Sequence, residues 1–216
     1  MIYLRSATKF HFSEDKPPRL IIKPTTLALP TDRRVAILGD RMQGKSTLLR
    51  LLTGADAPDH GHVVTPPLHF SPIVNPGKFF NFRLTGLENV RLVGRLMGVD
   101  ANRLALAVNA FCRLGPAMER PLKFFTGIER QLLEIALLSV LAFDCYLLDN
   151  AQTVPAELLE KCFHVTGRRG AGMIFTTTFS RQASKYADYA IVIRDHAVHA
   201  YNHVEEAIES YERKAV

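Results

Sequence analysis

Short apolar runs alternate along this chain with stretches of helical period, the pattern of a mostly parallel sheet with crossover helices. Val35-Ala36-Ile37-Leu38 holds no polar position and predicts a buried strand, with a helix over Lys45 to Leu52 behind it. Phe143 to Leu148 predicts a second buried strand and Met173 to Thr177 a third. Ala190 to Arg194 and Val198 to Tyr201 predict late strands joined by a short turn at Asp195-His196. An amphipathic helix from about Val204 to Tyr211 closes the pattern. Residues 1–32 alternate apolar and polar positions around Glu14-Asp15-Lys16-Pro17-Pro18, which predicts antiparallel strands flanking the core. Leu84 to Leu141 differs in kind. It is helical almost throughout, with breaks at Gly98-Val99-Asp100 and Leu114-Gly115-Pro116. The expected architecture is α/β: a sheet-based core from 1–83 and 142–216, and a helical subdomain over 84–141 inserted between the first two buried strands.

Composition narrows the classes. The 216 residues suffice for one domain, or one domain carrying a smaller subdomain, and 47% apolar with 22% charged residues is ordinary for a globular protein. No run approaches the roughly 18 apolar residues of a membrane-spanning helix. The longest candidate, Leu132 to Phe143, is interrupted by Glu134 and Ser139 and reads as a buried helix. The N-terminal MIYLRSATKF lacks the basic-then-apolar layout of a signal peptide, so secretion is not expected. Cys112, Cys145 and Cys162 form an odd set without CxxC spacing, which argues against a disulfide framework or zinc site and fits a reducing cytosol. The net charge of +6 is spread in basic pairs, Arg33-Arg34 and Arg168-Arg169, without interleaved aromatics, so a generic basic surface is expected and no nucleic-acid partner. The histidines show no metal-ligand spacing, and His60-Gly61-His62 reads as a solvated turn. Ser180 and Ser184 lack the glycine-flanked elbow of a serine hydrolase.

One motif carries specific chemistry. Gly39-Asp40-Arg41-Met42-Gln43-Gly44-Lys45-Ser46-Thr47 matches G-x-x-x-x-G-K-[ST] in full, after a buried strand and at the opening of a helix. The glycines let successive backbone N–H groups curl toward phosphate oxygens, and the helix N-terminus adds a positive dipole end. Lys45 is expected to reach the β- and γ-phosphates, and Ser46 to complete a Mg²⁺ shell. A second acidic group is then required at the end of a neighbouring strand. Asp149 supplies it, closing the apolar run before Asn150. The expected cofactors are ATP and Mg²⁺, in a P-loop NTPase core.

With these residues in place, the chain resembles the ATP-binding subunits of ABC transporters, and most closely those that export capsular polysaccharide and related lipid-linked glycans. Leu84-Thr85-Gly86-Leu87-Glu88-Asn89-Val90 looks like the L-T-G-x-E-N stretch after the Q-loop of that subgroup. Thr126-Gly127, opening a long helix before the Asp149 strand, looks like the signature motif. The order of the Asp149 and Thr176 strands and the compact C-terminus also match, so the likeness covers nearly the whole chain. It implies a RecA-like core with a helical ABC subdomain. It further implies a second nucleotide-binding subunit, in a homo- or heterodimer, and an integral-membrane permease subunit. Each ATP would lie between one subunit's P-loop and the other's signature, with the protein peripheral on the cytoplasmic face of the inner membrane. Phe79, Phe80 and Phe82 lie near the implied permease contact, either as a coupling patch or as subdomain packing.

Several positions depart from that family's pattern. Asn150 stands where a glutamate polarises the attacking water, and loss of a positioned base typically costs roughly 10²- to 10⁴-fold in rate. Thr178 stands at the switch histidine. Phe124-Phe125-Thr126-Gly127-Ile128-Glu129 keeps one hydroxyl and one glycine of the signature, and Glu129 brings a carboxylate toward a phosphate-binding face. Asn81 is the nearest counterpart of the Q-loop glutamine, and Val154-Pro155-Ala156 replaces the D-loop aspartate. The adenine-stacking aromatic falls among Phe10, His11 and Phe12. The expectation is nucleotide binding with weak or partner-dependent hydrolysis. Two alternatives stay open: a phosphotransferase whose helical insert uses Arg91, Arg95 and Arg103 as a lid, and a regulatory ATP-binding module not coupled to transport.

Overall fold

The alternation at the N-terminus folds as a long hairpin, β1 (Ile2–Ser13) against β2 (Lys16–Leu29), in antiparallel register. The computed structural model describes residues 1–14, 16–73 and 80–213. In chain order the remaining elements are β3 (Arg34–Leu38), α1 (Lys45–Leu52), β4 (His60–Val64), α2 (Gly86–Leu96), α3 (Ala101–Cys112), α4 (Gly127–Val140) and β5 (Cys145–Leu148). Then follow α5 (Ala156–Gly167), β6 (Gly172–Thr177), α6 (Ser180–Tyr186), β7 (Tyr189–Arg194), β8 (Ala197–Tyr201) and α7 (Val204–Glu212). They form two compact units. One comprises Met1–Ile73, Phe143–Thr153 and Gly167–Val216, and the other Val74–Ala142 and Val154–Thr166. The expected division placed 80–83 and 154–166 with the core, whereas the compact units put both segments in the second.

The first unit is α/β. Its main sheet has the order β5-β6-β3-β7-β8, parallel except for β8, which returns antiparallel from β7. Strand β3 lies between two neighbours, and its apolar run Val35, Ala36, Ile37 and Leu38 is fully buried, as a strand covered on both faces requires. The hairpin at Asp195-His196 has positive φ at both residues, 47° and 64°, the geometry of a two-residue turn matched to strand twist. A second, antiparallel sheet has the order β2-β1-β4. Here the expected turn at His60-Gly61-His62 is corrected: these residues begin β4 and pair with Thr8 and Arg5 of β1. Gly61 has φ +75°, and a Cβ there would stand 2.3 Å from Ser6 O, so the glycine serves an irregular ladder instead of a loop.

The second unit is helical, and its helix starts explain two of the sequence signals. Thr85 and Glu88 form a reciprocal capping box at α2, with Glu88 N donating to Thr85 Oγ1 at 3.1 Å and Thr85 N donating to Glu88 Oε2 at 2.7 Å. Thr126 and Glu129 repeat this box at α4. Asp100 caps α3 from the Gly98-Val99-Asp100 break. Phe80 is buried and Phe82 lies under the Arg130 guanidinium at 5.3 Å, which is subdomain packing; Phe79 lies outside the described residues. Among the described residues no helix is long and apolar enough to cross a membrane.

Candidate functional site

Three strands of the main sheet deliver their carboxyl ends to one place in the first unit, where ligands of open α/β sheets bind. From β3 comes the loop Gly39 to Gly44, which turns through Met42 at φ 65° and Gly44 at φ 99° before α1 begins. Both glycines are demanded by close approach. A Cβ on Gly39 would meet Ile193 O at 2.9 Å, and one on Gly44 would meet Ile21 O at 3.0 Å. No side chain caps α1 and no acidic residue occupies its first turn, which leaves its first N–H groups and its positive end available to an anion.

Lys45 is 6% exposed, and its Nζ donates to Gly39 O and Asp40 O, both at 2.7 Å. Burial pushes its pKa below the usual lysine value, while the charges of Asp149 and Asp40 act in the opposite direction. The lysine thus ties down the loop's own carbonyls and lies beside a buried carboxylate.

That carboxylate, Asp149, ends β5 and is 4% exposed. Thr176 Oγ1 of β6 donates to Asp149 Oδ1 at 2.6 Å and accepts from Asn150 N at 2.8 Å, so one hydroxyl locks two consecutive residues. Asn150 sits at φ 56°, and its Oδ1 accepts from Gln152 Nε2 at 3.1 Å. Beyond β6, Thr178 O lies 3.1 Å from the hydroxyl of Tyr211 on α7, which also donates to Asp40 Oδ1 at 2.9 Å. Burial, then the Asp40 contact, pushes the Tyr211 phenol up to about 12.

A cavity of about 510 Å³ opens over the loop, within the range of nucleotide-sized ligand sites. It gathers Arg41, Met42, Gly44, Lys45, Ser46, Thr47, Asn150 and Thr178, all singled out from the sequence. Gly39 and Asp40 hold Lys45 beneath it, and Gln43 Oε1 accepts from His196 N at 3.4 Å. Arg19, Ile21, Gln152 and Thr153 also line it and were missed. Arg19 and Ile21 are two apart on β2, so strand alternation puts both on one face; that was the available signal.

Other expected residues lie elsewhere. His11 is exposed on β1 opposite Arg19 and does not line the cavity. Phe10 packs on Phe12 and edge-on against His60. Asn81 belongs to the second unit, where its N–H donates to Asn89 Oδ1 and its Oδ1 accepts from Arg83 N. Thr126 and Gly127 also belong to that unit. There Glu129 is engaged by its capping box and by Arg120 Nη2 at 2.8 Å, and the Thr126 N–H first, then Arg120, hold its pKa below the usual carboxylate value. Its charge is largely answered by these partners.

Comparison with known proteins agrees with this geometry. The ABC transporter family profile matches residues 22–153, which spans the phosphate loop and Asp149. The polysialic acid transport ATP-binding protein KpsT of Escherichia coli is 31% identical over 199 residues, covering 89% of this chain and 90% of that protein. ATP-binding protein BexA of Haemophilus influenzae is 29% identical over 201 residues, with 89% and 90% covered. Among solved structures, the dimeric post-hydrolysis ATP-binding cassette MJ0796 bound to ADP and Pi superposes with TM-score 0.78 at 19% identity, covering 93% of this chain and 98% of its own. A match over more than half the chain, a relative above 30% identity and a common fold lead to one conclusion: the chain belongs to the ABC transporter family.

Proposed function

We propose that this protein is the ATP-binding subunit of an ABC exporter for capsular or another cell-surface polysaccharide. The observation that carries the nucleotide part is the Lys45 arrangement: a buried ammonium held by two loop carbonyls, beside Asp149, beneath a cavity walled by uncapped helix N–H groups. The polysaccharide part rests on relatives such as KpsT, BexA and the capsule polysaccharide export ATP-binding protein CtrD of Neisseria meningitidis, the last 28% identical over 201 residues.

In this reading the N–H groups of 41–47 bind the phosphates, and Lys45 exchanges a loop carbonyl for a phosphate oxygen. Ser46 Oγ and Asp149 are hard oxygen donors of the kind magnesium prefers, so the residues present fit Mg²⁺, which would neutralise phosphate charge when bound. Arg19 and Ile21 form the wall available to the base, where a guanidinium stacks on the ring in place of His11 or its neighbours. Asn150 and Thr178 stand at the base and switch positions, and neither accepts a proton at neutral pH. Hydrolysis is therefore weak or partner-dependent. The protein works as a homo- or heterodimer of nucleotide-binding subunits, whose second units bring Thr126 and Gly127 to the partner's nucleotide. It is peripheral on the cytoplasmic face of the inner membrane, on a permease subunit.

Titration calorimetry with Mg·ATP tests the nucleotide part. Wild-type protein binds, and Lys45→Ala loses at least about tenfold in affinity, as expected for removing a charged hydrogen-bond donor. Equal affinity in the two proteins refutes it. Co-purification with an integral-membrane partner, and loss of surface polysaccharide on deletion, test the export part.

A further inference from the structure

We propose that Tyr211 is a positioning residue that restrains the Asp40 carboxylate, which otherwise competes with the nucleotide's phosphates for Lys45. The proposal rests on the nucleotide-binding reading above.

The phosphate loop carries its own anion. Asp40, directly after Gly39, brings a carboxylate into a turn whose amides suit phosphate. Its backbone oxygen already accepts from Lys45 Nζ at 2.7 Å. The carboxylate of the same residue therefore needs only a side-chain rotation to reach that ammonium. The attraction is present: burial lowers the Lys45 pKa, and the charges of Asp149 and then Asp40 oppose it. A carboxylate closed on the buried Lys45 forms an ion pair that an incoming phosphate has to break.

Helix α7 holds the carboxylate elsewhere. The Tyr211 hydroxyl donates to Asp40 Oδ1 at 2.9 Å, and Asp40 does not line the cavity although Arg41 and Lys45 do. Thr178 O, 3.1 Å from the same hydroxyl, is a second acceptor. A phenol has one proton, and the charged carboxylate is the stronger acceptor for it. Tyr211 is itself anchored. Arg194 Nη2 donates to the backbone oxygens of Ser210 and Tyr211, the latter at 2.9 Å, and the Tyr201 hydroxyl donates to Ser210 Oγ at 2.8 Å. Arg194 ends β7 and Tyr201 ends β8, and β7 pairs directly with β3, the strand that leads into the loop. Phenol and loop are thus fixed to one sheet. The main chain of Asp40 steadies Lys45, while its side chain is kept from it.

The test is titration calorimetry with Mg·ATP on the full-length chain, in a double-mutant cycle of Tyr211→Phe and Asp40→Asn. Tyr211→Phe alone is expected to weaken binding by up to about fivefold, because the freed carboxylate pairs with Lys45. In the Asp40→Asn background the same change is expected to weaken binding by less than about twofold, because a neutral amide does not compete for an ammonium. Raising KCl from about 0.05 M to about 0.5 M should shrink the Tyr211→Phe loss, since the exposed Asp40 is screened by salt. Tyr211→Phe keeps the ring, and its melting temperature is expected within about 4 °C of wild type. A merely structural role for Tyr211 predicts the same loss in both backgrounds and at both salt concentrations, and that result overturns the proposal. Tyr211→Phe binding as tightly as wild type overturns it too. Absence of Mg·ATP binding by the wild type instead sinks the nucleotide-binding reading.

Discussion

Glu134 sets up a pH dependence whose size follows from its surroundings. It lies on α4 between Leu133 and Ile135, is 1% exposed, and its Oε1 has no hydrogen-bond partner. Burial alone pushes its pKa from the ordinary 4.5 up to about 7. The unfolded chain gives up this proton near its ordinary value, whereas the folded chain keeps it to about neutrality. Between those limits the folded state binds more protons, so stability falls as pH rises. At about 1.4 kcal/mol per tenfold, the interval corresponds to about 3 kcal/mol, lost by pH 8. Glu134→Gln keeps the shape and removes the ionisation. Urea denaturation followed by circular dichroism at pH 5, 6, 7 and 8 should therefore show the variant gaining on the wild type by about 3 kcal/mol across the series. A stability difference that is the same at pH 5 and pH 8 refutes the reasoning, as does a carboxyl titrating below pH 5 in ¹³C NMR.

Two further outcomes are expected. Gly61→Ala on the exposed strand β4 should cost at least about 2 kcal/mol, read as a lower melting temperature, because the new Cβ meets Ser6 O at a φ that L residues avoid; a loss within the roughly 0.5 kcal/mol usual for surface changes would show that the bulge relaxes freely. Tyr211→Phe removes the hydroxyl that links Asp40 to Thr178, and a hydrogen bond of about 1 kcal/mol predicts Mg·ATP binding weaker by up to about fivefold. Because burial holds the phenol near 12, that loss should be the same from pH 6 to 9, and unchanged affinity in calorimetry counts against the link.

Local rules made much of this protein legible before any coordinates. An apolar tetrad can only be a covered strand, a glycine-lysine turn after it can only curl so that its amides face outward, and alternation around a proline-rich turn folds as a hairpin. These depend on neighbours in sequence, and Lys45, Ser46 and Asp149 were read from them. Thr85 to Glu88, read as part of a family stretch, and Thr126-Gly127, read as a signature remnant with Glu129 as a departure, are at the same time local devices, since both segments are capping boxes. Tertiary structure decided the rest, because it depends on which distant segments pack together. His60-Gly61-His62 has turn composition, yet the open edge of β1 recruits it as a strand. The cavity wall is Arg19 and Ile21 of β2 instead of His11 of β1, a choice set by which hairpin strand approaches Gly44. Tyr211, 171 residues after Asp40 in the chain, reaches it because β8 reverses and α7 returns over the sheet. Likewise the pairing of Asn150 with Gln152 requires the left-handed turn at Asn150 that Thr176 of a separate strand holds in place, and no periodicity along the chain encodes it.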